Sequence, residues 1–89
     1  MQLHLDRRDR RPLYLQVVEQ IKDLIRNGVL PAGSRLPSIR ELAADTGLTR
    51  LTVHNAYAEL QADGWIEMQL GDLLRLGRSD FFNVHTARG

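Results

Sequence analysis

A stretch in the middle of the chain predicts two short helices joined by a tight turn, and it constrains the fold more than any other feature. Residues 36–66 have the sequence LPSIRELAADTGLTRLTVHNAYAELQADGWI, with one glycine between the predicted helices and another after them. Such short helices are marginal alone in water, so the first must pack behind the second. The pair then presents one face of the second helix outward.

An earlier amphipathic helix is predicted behind Pro12, which suits the first position of a helix. Apolar residues recur there at helical spacing for roughly four turns. Asn27 and Gly28 make a good C-terminal cap. The glycine and prolines of residues 29–37 then predict a connector, in which residues 35–36 can add a very short strand.

The two helices of the central stretch carry clear cap signals. Ser38 and Glu41 form a capping box, in which each side chain satisfies a free backbone N–H, and Gly47 ends that helix. Thr49 caps a third helix over about residues 50–63. The spacing predicts a buried face on this helix, formed by Val53, Ala56, Tyr57 and Leu60.

A β-hairpin is predicted after the helices. Residues 65–68 have the pattern of a strand, Gly71 begins a turn, and residues 73–76 have the pattern of a return strand. A two-stranded hairpin is marginal in water, so it must pack on the helices. Trp65 and Ile66 are the expected anchor.

The predicted fold class is mainly α with a small β-hairpin (α+β), in one small domain of an 89-residue chain. Its hydrophobic fraction of 43% and charged fraction of 26% are ordinary for a globular protein. We expect a flexible arm over residues 1–11, mobile or partly ordered, whose arginines are diluted by aspartates. The folded domain is expected over residues 12–78, and a tail or the start of a linker over residues 79–89.

Several kinds of function are disfavoured by what the sequence lacks. The chain has no cysteine, no apolar run near the ~18 residues of a membrane span, and three histidines without metal-ligand spacing. It has no glycine-rich phosphate loop and no Ser/His/acid set in a catalytic context. We therefore expect a cytoplasmic protein with no catalytic residue, no cofactor and no metal.

The face of the third helix opposite its buried side is unusual for a surface helix. It holds Leu51, Asn55, Ala58 and Ala62, flanked by Thr52, His54 and Glu59. Successive residues of a helix are about 100° apart, which places these residues on one side. The front of this face, near the start of the helix, has hydrogen-bonding side chains, whereas the rear has only small alanine side chains. Small residues allow close approach to a bulky partner, and the polar front can contact base edges. Helix-turn-helix proteins place the front of their second helix in the DNA major groove in this way.

Three candidate contact residues on this helix also have plainer explanations. Arg50 can make two hydrogen bonds to a guanine or bind a phosphate, or it is simply a solvated surface arginine. Asn55 can pair with adenine or be a neutral surface position. His54 can bind a base or phosphate, or be a structural or merely exposed residue. Arginine supplies eleven of the twelve basic residues, which suits phosphate and guanine but also follows from GC-rich codons.

The start of the helix pair adds further candidates. Thr49 and Thr52 can donate to phosphate, and for Thr49 that role is compatible with capping. Leu51 can touch a thymine methyl or lean into the groove between the helices. Arg40, one turn into the preceding helix, is placed to hold the DNA backbone.

Four motifs occur in order within residues 12–67. They are the PLYLQ opening, the connector and helix G-x-LP-x-G-x-x-LPS-x-RELA, the entry G-L-T-R-x-T-V and the exit Y-x-x-L-x-x-x-G-W-I. Together they resemble the winged helix-turn-helix domain of the GntR family of bacterial transcription regulators. The resemblance implies a sequence-specific DNA-binding module, most often of a repressor, with its recognition helix in the major groove. It also implies a palindromic double-stranded DNA operator and a homodimer in the full regulator.

The resemblance carries residue roles with it. Family positions that contact DNA are matched by Arg40, Thr49, Arg50, Leu51 and Thr52. Gly71 matches the wing-tip glycine that enters the minor groove.

The chain departs from the family pattern at three points. His54 stands where many members have arginine. Leu70 and Asp72 flank the wing tip where basic residues are common, and an acidic tip weakens contact with phosphates. Members normally continue into an effector-binding or dimerising domain, so we expect no effector site in this segment, which is either excised or naturally short. The PLYLQ opening resembles subgroups with a short helical tail or an aminotransferase-like domain.

An alternative function is a winged helix used for protein–protein interaction or assembly. The near-neutral net charge of +1, the acidic apolar wing and the Phe81-Phe82 pair favour this interpretation. The edge of the hairpin can then pair with another chain.

Overall fold

The computed structural model describes residues 1–69 and 81–85, with three helices followed by a two-stranded antiparallel sheet. The elements are α1 (Leu13–Arg26), α2 (Ile39–Thr46), α3 (Arg50–Ala62), β1 (Ile66–Gln69) and β2 (Phe81–Val84). This order confirms the predicted class, a mainly α fold with a small hairpin. Within these residues, no helix is long and apolar enough to cross a membrane.

The cap signals act as the sequence predicts. At the start of α2, Ser38 Oγ accepts the Glu41 N–H at 3.1 Å, and Glu41 Oε1 accepts the Ser38 N–H at 2.8 Å. Gly47 ends α2 with φ of 75°, a left-handed conformation that favours glycine. Thr49 Oγ1 accepts the Thr52 N–H at 3.2 Å at the start of α3. These bonds satisfy backbone groups that have no partner within the helices.

The core is built around α3, which packs against α1, α2 and β1. All four residues of its predicted buried face have no exposed surface: Val53, Ala56, Tyr57 and Leu60. Ile66 of β1 is 1% exposed and Trp65 packs against the same core, so the predicted anchor of the sheet is confirmed. The opposite face of α3 is left for solvent.

The strand that pairs with β1 lies later in the chain than the predicted return strand. β1 pairs with β2, and Ile66 lies opposite Val84. The return strand was predicted at residues 73–76, which lie outside the described residues. Phe82 and Val84 are 8% and 2% exposed, so part of the segment predicted as a tail belongs to the core. Residues 73–76 carry three leucines directly after the predicted turn, and this local signal drew the return strand to them rather than to residues 81–84.

The connector before α2 pairs with the free edge of β2. Backbone hydrogen bonds of 2.7–3.1 Å join residues 33–36 to residues 82–84. Arg35 forms an isolated antiparallel bridge with Asn83. Residues 35–36, where a very short strand was expected, therefore contribute a single isolated bridge rather than a strand, and β2 has a backbone partner on each side.

The arm predicted to be flexible, residues 1–11, lies along α1. Gln16 accepts the Asp6 N–H at 2.8 Å and donates to the Asp6 carbonyl at 2.9 Å. Gln20 makes the same pair of bonds with His4, at 2.7 and 2.6 Å. Leu3 and Leu5 of the arm also pack against the core, but two leucines form too short a pattern to predict this, and the hydrogen bonds come from side chains of α1. Sequence patterns therefore did not predict the placement of the arm.

Candidate nucleic-acid interface

The free face of α3 carries the outer residues that the sequence selects. Leu51 is 68% exposed, so it points to solvent and not into the groove between the helices. Asn55 is also exposed, as are Ala58 and Ala62 behind it. A bulky partner therefore meets polar and apolar groups at the front of α3 and only methyl groups at the rear.

The start of α3 presents two hydroxyl groups held against each other. Thr49 Oγ1 and Thr52 Oγ1 are 2.9 Å apart, and the Thr49 oxygen also accepts the Thr52 N–H. Thr49 is exposed and Thr52 is half-buried. The positive end of the helix dipole lies here, so the local field favours an anion.

A groove beside this face brings three of the candidate residues together. Arg40 of α2 lines an open space of about 750 Å³ with Arg50 and His54 of α3, and the sheet forms another wall. All three side chains are exposed. Glu41 also lines the groove, but its carboxylate accepts the Ser38 N–H at 2.8 Å. The groove therefore gathers basic side chains, while its acidic residue is engaged at a helix cap.

Three further residues line the same groove although the sequence analysis did not select them: Arg35, Gln61 and Met68. Gln61 follows His54 by seven positions, about two helical turns, so the helical period was a sufficient signal. Arg35 and Met68 reach the groove because the connector pairs with β2 and β2 pairs with β1. That pairing depends on the position of β2, which the sequence did not locate.

The remaining candidates do not join this groove. Thr49, Leu51, Thr52 and Asn55 are not among its lining residues, and they form the adjoining front of α3. Gly71 lies outside the described residues. Among residues 1–69 and 81–85, no group of three or more His, Cys, Asp or Glu is arranged to hold a metal ion.

Tyr57 supports the groove from the core side. Its hydroxyl donates to the Pro37 carbonyl at 2.7 Å, and its ring meets Phe82 edge-on with centroids 4.9 Å apart. Burial raises the pKa of the Tyr57 phenol, and the Glu41 carboxylate raises it further, so the phenol stays a neutral donor. This side chain therefore joins α3 to the residues that precede α2 and to a wall of the groove.

Comparison with known proteins assigns the chain to a family. Residues 13–72 match the family model described as "Bacterial regulatory proteins, gntR family". The chain is 39% identical over 69 residues to the HTH-type transcriptional repressor YtrA of Bacillus subtilis (strain 168). That match covers 78% of this chain and 53% of the repressor, so the chain spans about half the length of this relative.

Two solved structures extend the comparison. YtrA from Sulfolobus acidocaldarius, a GntR-family transcription factor, superposes with a TM-score of 0.81 at 36% identity, over 93% of this chain and 79% of that chain. AraR(DBD) in complex with operator ORR3 superposes with a TM-score of 0.66 at 26% identity, over 91% of this chain and 90% of that chain. The chain belongs to the GntR family of bacterial regulatory proteins, and its helices and sheet form the winged helix-turn-helix DNA-binding domain of a transcription regulator.

Proposed function

We propose that the chain recognises a specific palindromic operator, with α3 in the major groove, and that it acts as a repressor. The main support for this proposal is a cluster of three side chains. Arg40, Arg50 and His54 converge on one groove beside the free face of α3, where they offer cationic and hydrogen-bonding groups to one partner. Phosphates and guanine edges are the DNA groups that such side chains bind.

The front of α3 supplies the contacts that distinguish base pairs. Arg50 forks to a guanine at the entry of the groove, and Asn55 pairs with an adenine further along the helix. Leu51 offers its exposed methyl groups to a thymine methyl. His54 hydrogen-bonds a base or a phosphate beside them, in place of the arginine of many family members.

The contacts that position the domain come from other groups. Arg40 holds the DNA backbone, and the Thr49–Thr52 pair binds a phosphate at the positive end of α3, where one hydroxyl donates to its neighbour and the other donates to the phosphate. Gly71 enters the minor groove at the wing tip, a role that the family resemblance supports. These contacts fix the register of α3 on the duplex and carry no sequence information themselves.

The regulatory context is inferred from relatives. A similar Bacillus protein is named as a transcriptional repressor, and the AraR structure is a complex with an operator. A palindromic operator pairs naturally with a two-fold symmetric protein, so we infer a homodimer in the full regulator. The site of action is the cytoplasm, where bacterial DNA lies.

The test of this proposal is the effect of Arg50→Ala on binding to a duplex selected by the purified chain from a random pool. We expect Arg50→Ala to lose about 1–3 kcal/mol of binding free energy on that duplex and to discriminate less well against a scrambled one. Fluorescence anisotropy titrations measure both quantities.

Arg26→Ala is the matched control because it removes the same charge from another exposed arginine. Its guanidinium lies over the Trp65 ring, 5.1 Å from the centroid, near the C-terminal end of α3. We expect this variant to discriminate between the two duplexes as the parent chain does. Selected-site binding that Arg50→Ala leaves unchanged would refute the role given to Arg50.

A further inference from the structure

The arm before α1 contains a turn whose acidic residues shape its backbone. The Asp9 N–H donates to the Asp6 carbonyl at 3.2 Å. Asp6 Oδ1 accepts the Arg8 N–H at 2.9 Å, and Asp9 Oδ1 accepts the Arg11 N–H at 2.8 Å. Asp9 also pairs with the Arg11 side chain at 3.0 Å, and Glu19 of α1 pairs with the same arginine. We name this segment, residues 6–11, the arginine turn. Both of its aspartates hydrogen-bond to groups within the turn itself.

Three arginines of the turn keep their charge available: Arg7, Arg8 and Arg10. Each is exposed, and none forms an ion pair with a carboxylate in the part of the chain that the structure describes. Arg7 Nη2 lies 3.5 Å from the Gly47 carbonyl, in the turn between α2 and α3. The arginine turn therefore lies beside the residues that lead into the Thr49 cap and the start of α3.

The position of the arginine turn is fixed by α1. Gln16 is 2% exposed, and its amide bonds Asp6 at one end of the turn. The same amide donates to the Arg11 carbonyl at 3.0 Å at the other end. Leu5 packs against the core just before the turn. A segment held in this way loses less conformational entropy on binding than a free arm would.

We infer that the arginine turn is a second DNA-contacting element, which binds backbone phosphates next to those at the start of α3. The inference rests on the proposed function, because it places the turn beside a helix already assigned to the operator. Guanidinium groups bind phosphate oxygens through charge-assisted hydrogen bonds. The turn lies outside the groove lined by Arg40, Arg50 and His54, so its contacts add affinity for any sequence and strengthen at low salt.

The test measures how binding to the selected duplex and to a scrambled duplex depends on salt. In Arg8→Gln/Arg10→Gln, we expect the slope of log K against log salt to become shallower by about 1 to 2, since each lost phosphate contact removes about 0.9. Affinity falls by the same factor on both duplexes, because phosphate contacts carry no sequence information. We expect Arg8→Lys/Arg10→Lys to keep the parent slope, because lysine retains the positive charge and the slope depends on charge rather than on the planar geometry of the guanidinium group.

Two further variants separate contact from general charge and from placement. Lys22→Gln/Arg26→Gln removes the same charge from the last two turns of α1, where both cations lie over Trp65, and we expect a slope near that of the parent. Gln16→Leu keeps every arginine but removes the bonds that hold the turn. We expect it to reduce affinity for both duplexes, with thermal unfolding recorded to show that the domain stays folded.

The outcomes distinguish this inference from the proposed function. If the parent chain binds its operator and Arg8→Gln/Arg10→Gln keeps the parent slope, the arginine turn does not contact phosphate and the proposed function stands. A slope change no larger than that of Lys22→Gln/Arg26→Gln would also overturn the inference. If the parent binds no duplex even at low salt, the proposed function itself fails.

Discussion

Among single residues, Tyr57 shows how a buried polar group can specify the arrangement of the candidate interface. The side chain has no exposed surface, and its hydroxyl satisfies the Pro37 carbonyl just before α2. A partly buried carbonyl that loses its partner is costly, so this bond favours one placement of the connector over α3. The same placement brings Arg40 of α2 to the groove that Arg50 of α3 lines.

Tyr57→Phe tests this account at a single atom. The ring keeps its contact with Phe82, but the Pro37 carbonyl loses its donor. We expect the free energy of unfolding to fall by about 1–3 kcal/mol, measured by urea denaturation at neutral pH.

Tyr14→Phe is the matched control for that substitution. The Tyr14 ring packs against the core, and its hydroxyl makes no hydrogen bond with any residue in the described ranges. We expect a change within about 0.5 kcal/mol. Equal losses in the two variants would show that the Tyr57 hydroxyl contributes nothing special.

Among the elements, α2 depends most on its ends. It has only 8 residues, and helices of that length are marginal without caps and packing. Ser38 and Glu41 satisfy backbone groups at its start, and Gly47 closes it in a left-handed conformation. Because Arg40 lies in its first turn, the order of this helix start decides the order of one side of the candidate interface.

Ser38→Ala removes the hydroxyl that caps α2. The Glu41 backbone N–H then loses its side-chain acceptor, although the Glu41 carboxylate can still accept the backbone N–H of residue 38. We expect the free energy of unfolding to fall by about 0.5–2 kcal/mol in urea denaturation.

Ser34→Ala provides the comparison for the cap. Ser34 bonds Val84 and Pro31 only through its backbone, which the substitution preserves. We expect this variant to stay within about 0.5 kcal/mol of the parent chain. A loss in Ser38→Ala no greater than that in Ser34→Ala would contradict the capping account.

At the scale of the whole molecule, the features predicted from sequence are those set by nearby residues. The structure confirms the caps at Ser38 and Thr49 and the buried face that includes Val53. Each of these features depends only on residues within one or two helical turns. The site residues Arg50 and Asn55 were placed on exposed positions by the same period.

Features that depend on distant contacts were not predicted. β2 pairs with residues 33–36 on one edge and with β1 on the other, and its own sequence pattern is only four residues long. Gln16 and Gln20 hold the arm by hydrogen bonds, but two glutamines one turn apart on α1 do not predict that a segment packs against them. The groove needs α2, α3 and the sheet together, so Arg35 and Met68 were found only in the structure.

The overall packing also bears on the alternative of an assembly module. Phe82 lies in the core, so it is not an exposed group for docking another chain. The edge of β2 that faces away from β1 is occupied by the connector. These two observations remove the support that Phe82 and this edge of β2 gave to a protein–protein role, which stays the alternative hypothesis.

We propose that the front of α3 and the start of α2 form the face of the domain that meets DNA. Titrating the ¹⁵N-labelled chain with the selected operator duplex and following its backbone amide signals locates that face. We predict the largest shift changes at residues 49–55 and around Arg40, with small changes at Lys22, Arg26 and Trp65. Largest changes at those last three residues, with the front of α3 unaffected, would contradict the account.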